Sequence, residues 1–186
     1  PSNKIFVKAT GVLTSTTGMA LNNALTPNSA TPMNVLQGYT TTRTDGGRAS
    51  GALSTSTNLT YFALATGWLV QNFDIDCAGL GGSTGVFMGT FSTLRNTKVA
   101  NCTNRGILAQ GADCAVIENE ITGCSSACDG SLFLNGTVTA LRNWIHDNAA
   151  PGIRTTNERA TIIWNLITNN TGASSDGIYM PSGNPA

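Results

Sequence analysis

At 186 residues, 40% of them hydrophobic, the chain is long enough and apolar enough to bury a core of its own. Its formal net charge is zero and only 11% of its residues are charged, against roughly 25% in ordinary soluble domains. That balance excludes the basic stripe of a nucleic-acid binder and the polybasic face of a membrane-surface binder, and no run approaches the roughly 18 apolar residues of a membrane span.

The chain opens Pro1-Ser2-Asn3, without an initiator Met or a signal peptide, as expected of a processed product or a piece of something longer. Lys4-Ile5-Phe6-Val7-Lys8 alternates polar and apolar residues up to Gly11 and reads as a first strand. Residues 14–34, rich in Thr, Ser, Asn and Pro, read as a long excursion with a short helical turn near Met19-Ala20-Leu21. Val35 to Tyr39 resumes a strand, and Thr44-Asp45-Gly46-Gly47-Arg48 is a turn signal. Residues 49–57 and 61–64 are further strands, separated by the polar segment around Asn58. Residues 1–67 thus read as the irregular entrance, and partial cap, of whatever follows.

From Trp68 to Met180 one pattern recurs five times: Val70-Gln71-Asn72, Leu94-Arg95-Asn96, Ile117-Glu118-Asn119, Leu141-Arg142-Asn143 and Ile163-Trp164-Asn165. Successive asparagines lie 24, 23, 24 and 22 residues apart. A β-branched residue follows each one (Ile75, Val99, Ile121, Ile145, Ile167), and a glycine later opens another short strand (Gly85, Gly106, Gly130, Gly152, Gly177). So short a period, with no helical spacing, describes one turn of a solenoid: an all-β parallel β-helix with three sheets and about 22–24 residues per coil. The expectation is one β-helix domain over residues 1–186, with regular coils at 68–180 and a truncated or continuing end at 181–186. Side-chain alternation places Ile107, Ala109, Ile117 and Ile121 inward and Leu108, Glu118 and Glu120 outward.

Asparagine suits the corners because it tolerates left-handed backbone, and its amide can hydrogen-bond from coil to coil. Asn72, Asn96, Asn119, Asn143 and Asn165 are therefore expected in one structural column, with a partial second column at Asn101, Asn148 and Asn170. Five cysteines leave at least one without an intrachain partner. Cys77, Cys102 and Cys124 are expected to stack at one corner as small buried residues; a Cys124–Cys128 bridge across a surface loop is the alternative. No metal site is expected, since there is no CxxC pair and His146 is the sole histidine.

The apolar-x-Asn motif, its following Ile or Val, and the glycine-led strand opening resemble the pectin-lyase-like superfamily of right-handed parallel β-helices. The matching pieces are Leu94-Arg95-Asn96-Thr97-Lys98-Val99, Ile117-Glu118-Asn119-Glu120-Ile121, Leu141-Arg142-Asn143-Trp144-Ile145 and Asp176-Gly177-Ile178. The resemblance implies the fold. It leaves function open among polysaccharide lyases and hydrolases, phage tailspikes, adhesins and surface proteins.

In the lyases of that superfamily, carboxylates on the outer face of one sheet hold Ca²⁺ and an Arg or Lys abstracts a proton. The matching row here, Phe87, Leu108, Leu132 or Phe133, Arg154 and Tyr179, contains no carboxylate, so no cofactor is evident and calcium stays an option that no carboxylate cluster supports. The Gly-His-Gly segment of the hydrolases is missing as well. The nearest polar patch is Asp74 and Asp76 beside Lys98, Glu120, Trp144 and His146, which reads first as a solvated face with pairs such as Asp74 with Lys98. His146 and Asp147 are adjacent, so alternation is expected to point them apart.

Two functions remain in view. One is an extracellular or surface β-helix presenting an elongated face for polysaccharide binding or processing, with Phe87, Leu108, Trp144, Arg154 and Tyr179 as contacts and Trp164 as a further exposed aromatic. The other is a structural or adhesive component such as a surface appendage, filament or virion spike. If the chain is an enzyme, it is a polysaccharide lyase or glycoside hydrolase lacking a complete catalytic motif. The expected partner is a polysaccharide or another protein chain, not nucleic acid. The bare strand edge at residues 177–180 calls for further coils, or for end-to-end or lateral self-association.

Overall fold

The computed structural model describes residues 4–8, 19–21, 33–43, 48–53, 60–77, 81–156, 159–172 and 176–181. Twenty short strands and no helix occur among them, and they form three sheets that the chain visits in rotation. The first sheet contains β1 (Lys4–Lys8), β3 (Asn34–Tyr39), β6 (Trp68–Gln71), β9 (Thr93–Arg95), β12 (Cys114–Ile117), β15 (Val138–Leu141) and β18 (Thr161–Ile163). The second contains β4 (Ala49–Leu53), β7 (Phe73–Asp76), β10 (Lys98–Ala100), β13 (Glu120–Thr122), β16 (Trp144–His146) and β19 (Leu166–Thr168). The third contains β2 (Met19–Leu21), β5 (Thr60–Leu64), β8 (Thr84–Met88), β11 (Arg105–Ala109), β14 (Gly130–Leu134), β17 (Ile153–Thr155) and β20 (Ile178–Tyr179).

Every pairing is parallel, so each strand lies on its counterpart one coil away and like positions stack. The second sheet stacks Ile75, Val99, Ile121, Ile145 and Ile167 in one inward row. The first stacks Val70, Leu94, Val116, Ala140 and Ile162, and the third Val86, Ile107, Leu132 and Ile153. Ile75, Leu94, Ile107, Ile121, Leu132, Ile145 and Ile153 are all at most 1% exposed. At about 1.5–3 kcal/mol for each fully buried aliphatic side chain, these rows are the main stabilising term.

Several expectations are corrected. Met19, Ala20 and Leu21 form a strand, not a helical turn, because parallel pairing with Phe62, Ala63 and Leu64 outweighs the high helix propensity of all three. Ile117 is half-buried on the outer side and Val116 is the inward residue. The glycine column runs Gly85, Gly106, Gly152, Gly177, and Ser131, not Gly130, takes the intervening place, since Ile107 pairs with Leu132. Gly11, residues 44–47, Asn58 and residues 182–186 lie outside the described residues, as does most of 14–34.

The asparagines form two columns offset by one residue. In register, Asp74, Lys98, Glu120, Trp144 and Leu166 share a row, so the coils measure 24, 22, 24 and 22 residues. Asn72 and Asn96 stand two residues before that row with left-handed φ of 64° and 43°; in later coils the same corner falls to Glu118, Arg142 and Trp164, with φ of 57°, 54° and 54°. Asn119, Asn143 and Asn165 follow one residue later, and they form a continuous ladder. The second ladder runs from Asn148 to Asn170 (2.9 Å). Asn101 sits one residue before it, exposed, with its amide on the Asp76 carboxylate at 2.8 Å.

Cys77 and Cys102 are joined by a disulfide, a pairing neither sequence reading anticipated. Cys114, Cys124 and Cys128 are buried thiols, with no bridge between the last two.

Candidate functional site

The outer face of the third sheet carries Phe87, Leu108, Phe133, Arg154 and Tyr179 in one row, each paired to the next. Leu132 points inward and is fully buried. Leu108 and Phe133 face outward yet are only 8% and 7% exposed, so Leu108 offers little surface to a partner. Phe133 is covered because two guanidinium groups lie over its ring, Arg105 at 4.9 Å and Arg154 at 5.2 Å from the centroid. Arg154 also stands 5.6 Å from the Tyr179 ring.

Asp129, just before β14, ties the two arginines together. Its Oδ2 pairs with Arg105 Nη2, and Arg154 Nη1 donates to its Oδ1 at 3.3 Å and to its backbone carbonyl at 3.4 Å. The Nε groups of both arginines are buried without a hydrogen-bond partner, a cost that the cation–π contact with Phe133 offsets in part. Two cations against one carboxylate leave a unit of positive charge. Beside them opens a cavity of about 320 Å³ bounded by residues 126–129, Pro151, Arg154 and Tyr179. One half-buried cation, one carboxylate and one aromatic face thus meet at a concave surface, a set suited to recognising polar rings.

The second sheet carries the other polar patch. Arg48, immediately before β4, reaches Glu120 at 2.9 Å and Asp74 at 3.7 Å, and Lys98 pairs with Glu120 at 2.7 Å. The salt-bridge partner of Asp74 is thus Arg48, and that of Lys98 is Glu120, although Asp74 and Lys98 are register neighbours. Burial pushes the Asp74 carboxyl above its ordinary range despite Arg48 and Lys98. Burial also acts upward on Glu120, but its bonds to Lys98 and Arg48 prevail and hold it below.

His146 and Asp147 do form a hydrogen-bonded pair, Nδ1 to Oδ2 at 2.7 Å, contrary to strict alternation. Asp147 has a φ of 52°, and this left-handed corner swings its side chain back beside the histidine. The bond from His146 holds the Asp147 carboxyl below its usual range. His146 also lies 3.7 Å from Glu120 and stacks on Trp144 at 3.8 Å. Trp144 is 45% exposed and Trp164 74%. This face is a nearly neutral ion-pair ladder with an aromatic end. Among the described residues no group of three or more His, Cys, Asp or Glu side chains could hold a metal ion.

The structure brings Arg154 and Tyr179 together at the cavity and leaves Trp144 on a different sheet. Sequence reasoning missed Arg105 and Asp129, which stand at the strand openings rather than in the outward row. Aligning the coils on Ile107 and Leu132 would have set Arg105 beside Gly130 and exposed the Arg105–Asp129 pair.

The family described as right handed beta helix region matches residues 62–185. No curated protein matches the chain in sequence. Among solved structures, ORF18 of Geobacillus virus E2 is similar with a TM-score of 0.64 at 12% identity, over 90% of this chain and 33% of the viral one. This chain thus spans about a third of that protein's length, and at such identity the likeness is one of fold.

Proposed function

The chain belongs to the right-handed beta helix family, and from that premise we propose that its third sheet binds a saccharide chain at the Arg154–Tyr179 cavity, in an extracellular or surface setting. The observation that carries this reading is the arginine–phenylalanine–arginine stack that, pinned by Asp129, holds Arg154 and Asp129 at the cavity wall. Locked side chains bind with little further loss of conformational entropy. Tyr179 supplies a ring face for sugar C–H groups, Asp129 accepts from hydroxyls, and Arg154 donates to a carboxylate or ring oxygen. The residual positive charge favours a sugar that carries a carboxylate.

The test is calorimetric titration with uronate-containing and neutral oligosaccharides. The uronate series should bind tighter, and Arg154→Ala should weaken it by about tenfold or more, the value of one charge-assisted hydrogen bond. Equal, weak binding of both series by both proteins would refute the reading.

A second reading, a structural or adhesive component of an appendage or virion, is supported by the viral source of the similar structure. The apolar side chains exposed outward at Leu166, 56%, and Trp164, 74%, favour it too, being suited to contact with another protein chain.

A further inference from the structure

The turn that forms the floor of the cavity contains two thiols the saccharide reading does not use. Cys124 occupies the same corner as the disulfide-bonded Cys102, one coil on, and its backbone N–H is anchored by Asn148 Oδ1 at 2.9 Å. Residues 125–128 form a tight turn, with Cys128 N–H donating to the Ser125 carbonyl at 3.0 Å. Both ends of that turn converge on one acceptor: the Cys102 carbonyl takes the Ser125 N–H at 2.9 Å and the Cys128 thiol at 3.1 Å. The Cys128 side chain is thereby folded back over the corner that Cys124 occupies. Cys128 is 5% exposed and is one of the residues lining the cavity, the side from which a reagent would approach it.

We propose that Cys124 and Cys128 are a latent disulfide site, closed by exchange with a small external disulfide, and that its closure locks the turn presenting Asp129 to Arg105 and Arg154. The Cys128 thiolate attacks one sulfur of the external disulfide, expelling one thiolate and leaving a mixed disulfide on Cys128. The Cys124 thiol, giving up its proton to solvent, then attacks Cys128 Sγ and expels the second thiolate. Two protein thiols are oxidised and one external disulfide is reduced to two thiols. Access orders the two attacks, since Cys128 lines the cavity while Cys124 does not and is 1% exposed; the neighbouring Cys124 thiol also holds Cys128 below its ordinary range, and Cys124 is raised. Two buried cysteines flanking one tight turn, with the Cys128 thiol folded back on the Cys102 carbonyl, are placed to bond by adjustment of that turn alone. Cys114 is set apart: its thiol donates to the Gly89 carbonyl at 3.1 Å, and burial raises it. Full oxidation therefore gives two bridges and one thiol, whatever the cavity binds.

The experiment is equilibration of the folded protein with oxidised and reduced glutathione over a range of ratios, followed by alkylation, intact mass and peptide mapping. Hydrogen exchange is measured on the same samples. The expected result is a fall from three alkylatable thiols to one while Cys77–Cys102 stays intact. A crosslink within the peptide holding Cys124 and Cys128 should appear, with exchange slowed several-fold at residues 125–129. Cys124→Ser and Cys128→Ala should each abolish the second bridge and leave Cys77–Cys102 in place, with circular dichroism confirming the fold. Three persistent thiols at every ratio that keeps Cys77–Cys102 oxidised would overturn the proposal. So would a bridge joining Cys124 or Cys128 to any other cysteine.

Discussion

The side-chain oxygen of Asn143 accepts two hydrogen bonds from Asn119, from its backbone N–H at 3.0 Å and from its side-chain amide at 3.1 Å. The Asn143 amide in turn reaches the Val116 carbonyl and Asn165 Oδ1, both at 2.9 Å. Asn143 thus satisfies four polar contacts at 1% exposure. Replacing it with Leu strands two donors and an acceptor in the core, and should cost about 2–4 kcal/mol by urea denaturation. Asn165→Leu, at the half-buried end of the ladder, should cost less than half as much. Equal losses at the two positions would show that the ladder is not the stabilising unit.

The strand-opening glycines are expected to differ sharply in tolerance. A Cβ on Gly152 would stand 2.6 Å from Ile167 Cγ2 and 2.7 Å from the Gly177 carbonyl oxygen, whereas on Gly177 the nearest atom is 3.9 Å away. The clash with the Gly177 carbonyl involves backbone of the next coil and cannot be relieved by a rotamer change. Gly152→Ala should therefore destabilise by about 1–3 kcal/mol and Gly177→Ala by under about 0.5 kcal/mol, read as shifts in the denaturation midpoint.

How much of this was legible in the sequence follows from these same residues. The period, the sheets and the inward row at Ile75, Val99, Ile121, Ile145 and Ile167 could be read because burial repeats with every coil. The single asparagine column could not, because the 23-residue step from Asn96 to Asn119 joins two structural positions. Glu118, Arg142 and Trp164 hold left-handed corners that no local propensity announces; the stacked register imposes them. The His146–Asp147 pair was missed for the same reason, since alternation lapses where φ turns positive. The Arg105–Asp129 contact spans 24 residues and emerges only once coils are aligned by strand pairing.

Acidification should act with opposite signs on two carboxylates of the second sheet. Glu120 is held below its ordinary value of 4.5, so its contribution is fully present above that value and is lost as pH falls through the lower folded one. Asp74 is raised above its ordinary 3.8, so its contribution is present below that value and disappears as pH rises through the folded one. Glu120→Gln should lower stability at pH 7 by about 1–2 kcal/mol, an effect that shrinks as pH falls below 4.5 and through the lower folded value. Asp74→Asn should raise the melting temperature slightly at pH 7 and not at pH 3. Melting curves between pH 3 and 7 check both, and parallel pH profiles for wild type and Glu120→Gln would contradict the assignment.

The central claim, that the Arg154–Tyr179 cavity is the binding surface, is tested most directly by mapping backbone amide shifts by NMR during titration with a uronate-containing oligosaccharide. The account predicts saturable changes at residues 126–129, Arg154 and Tyr179, with Trp144 and His146 on the second sheet unmoved. Changes centred on Trp144 and His146, or none on either face at millimolar ligand, would contradict it.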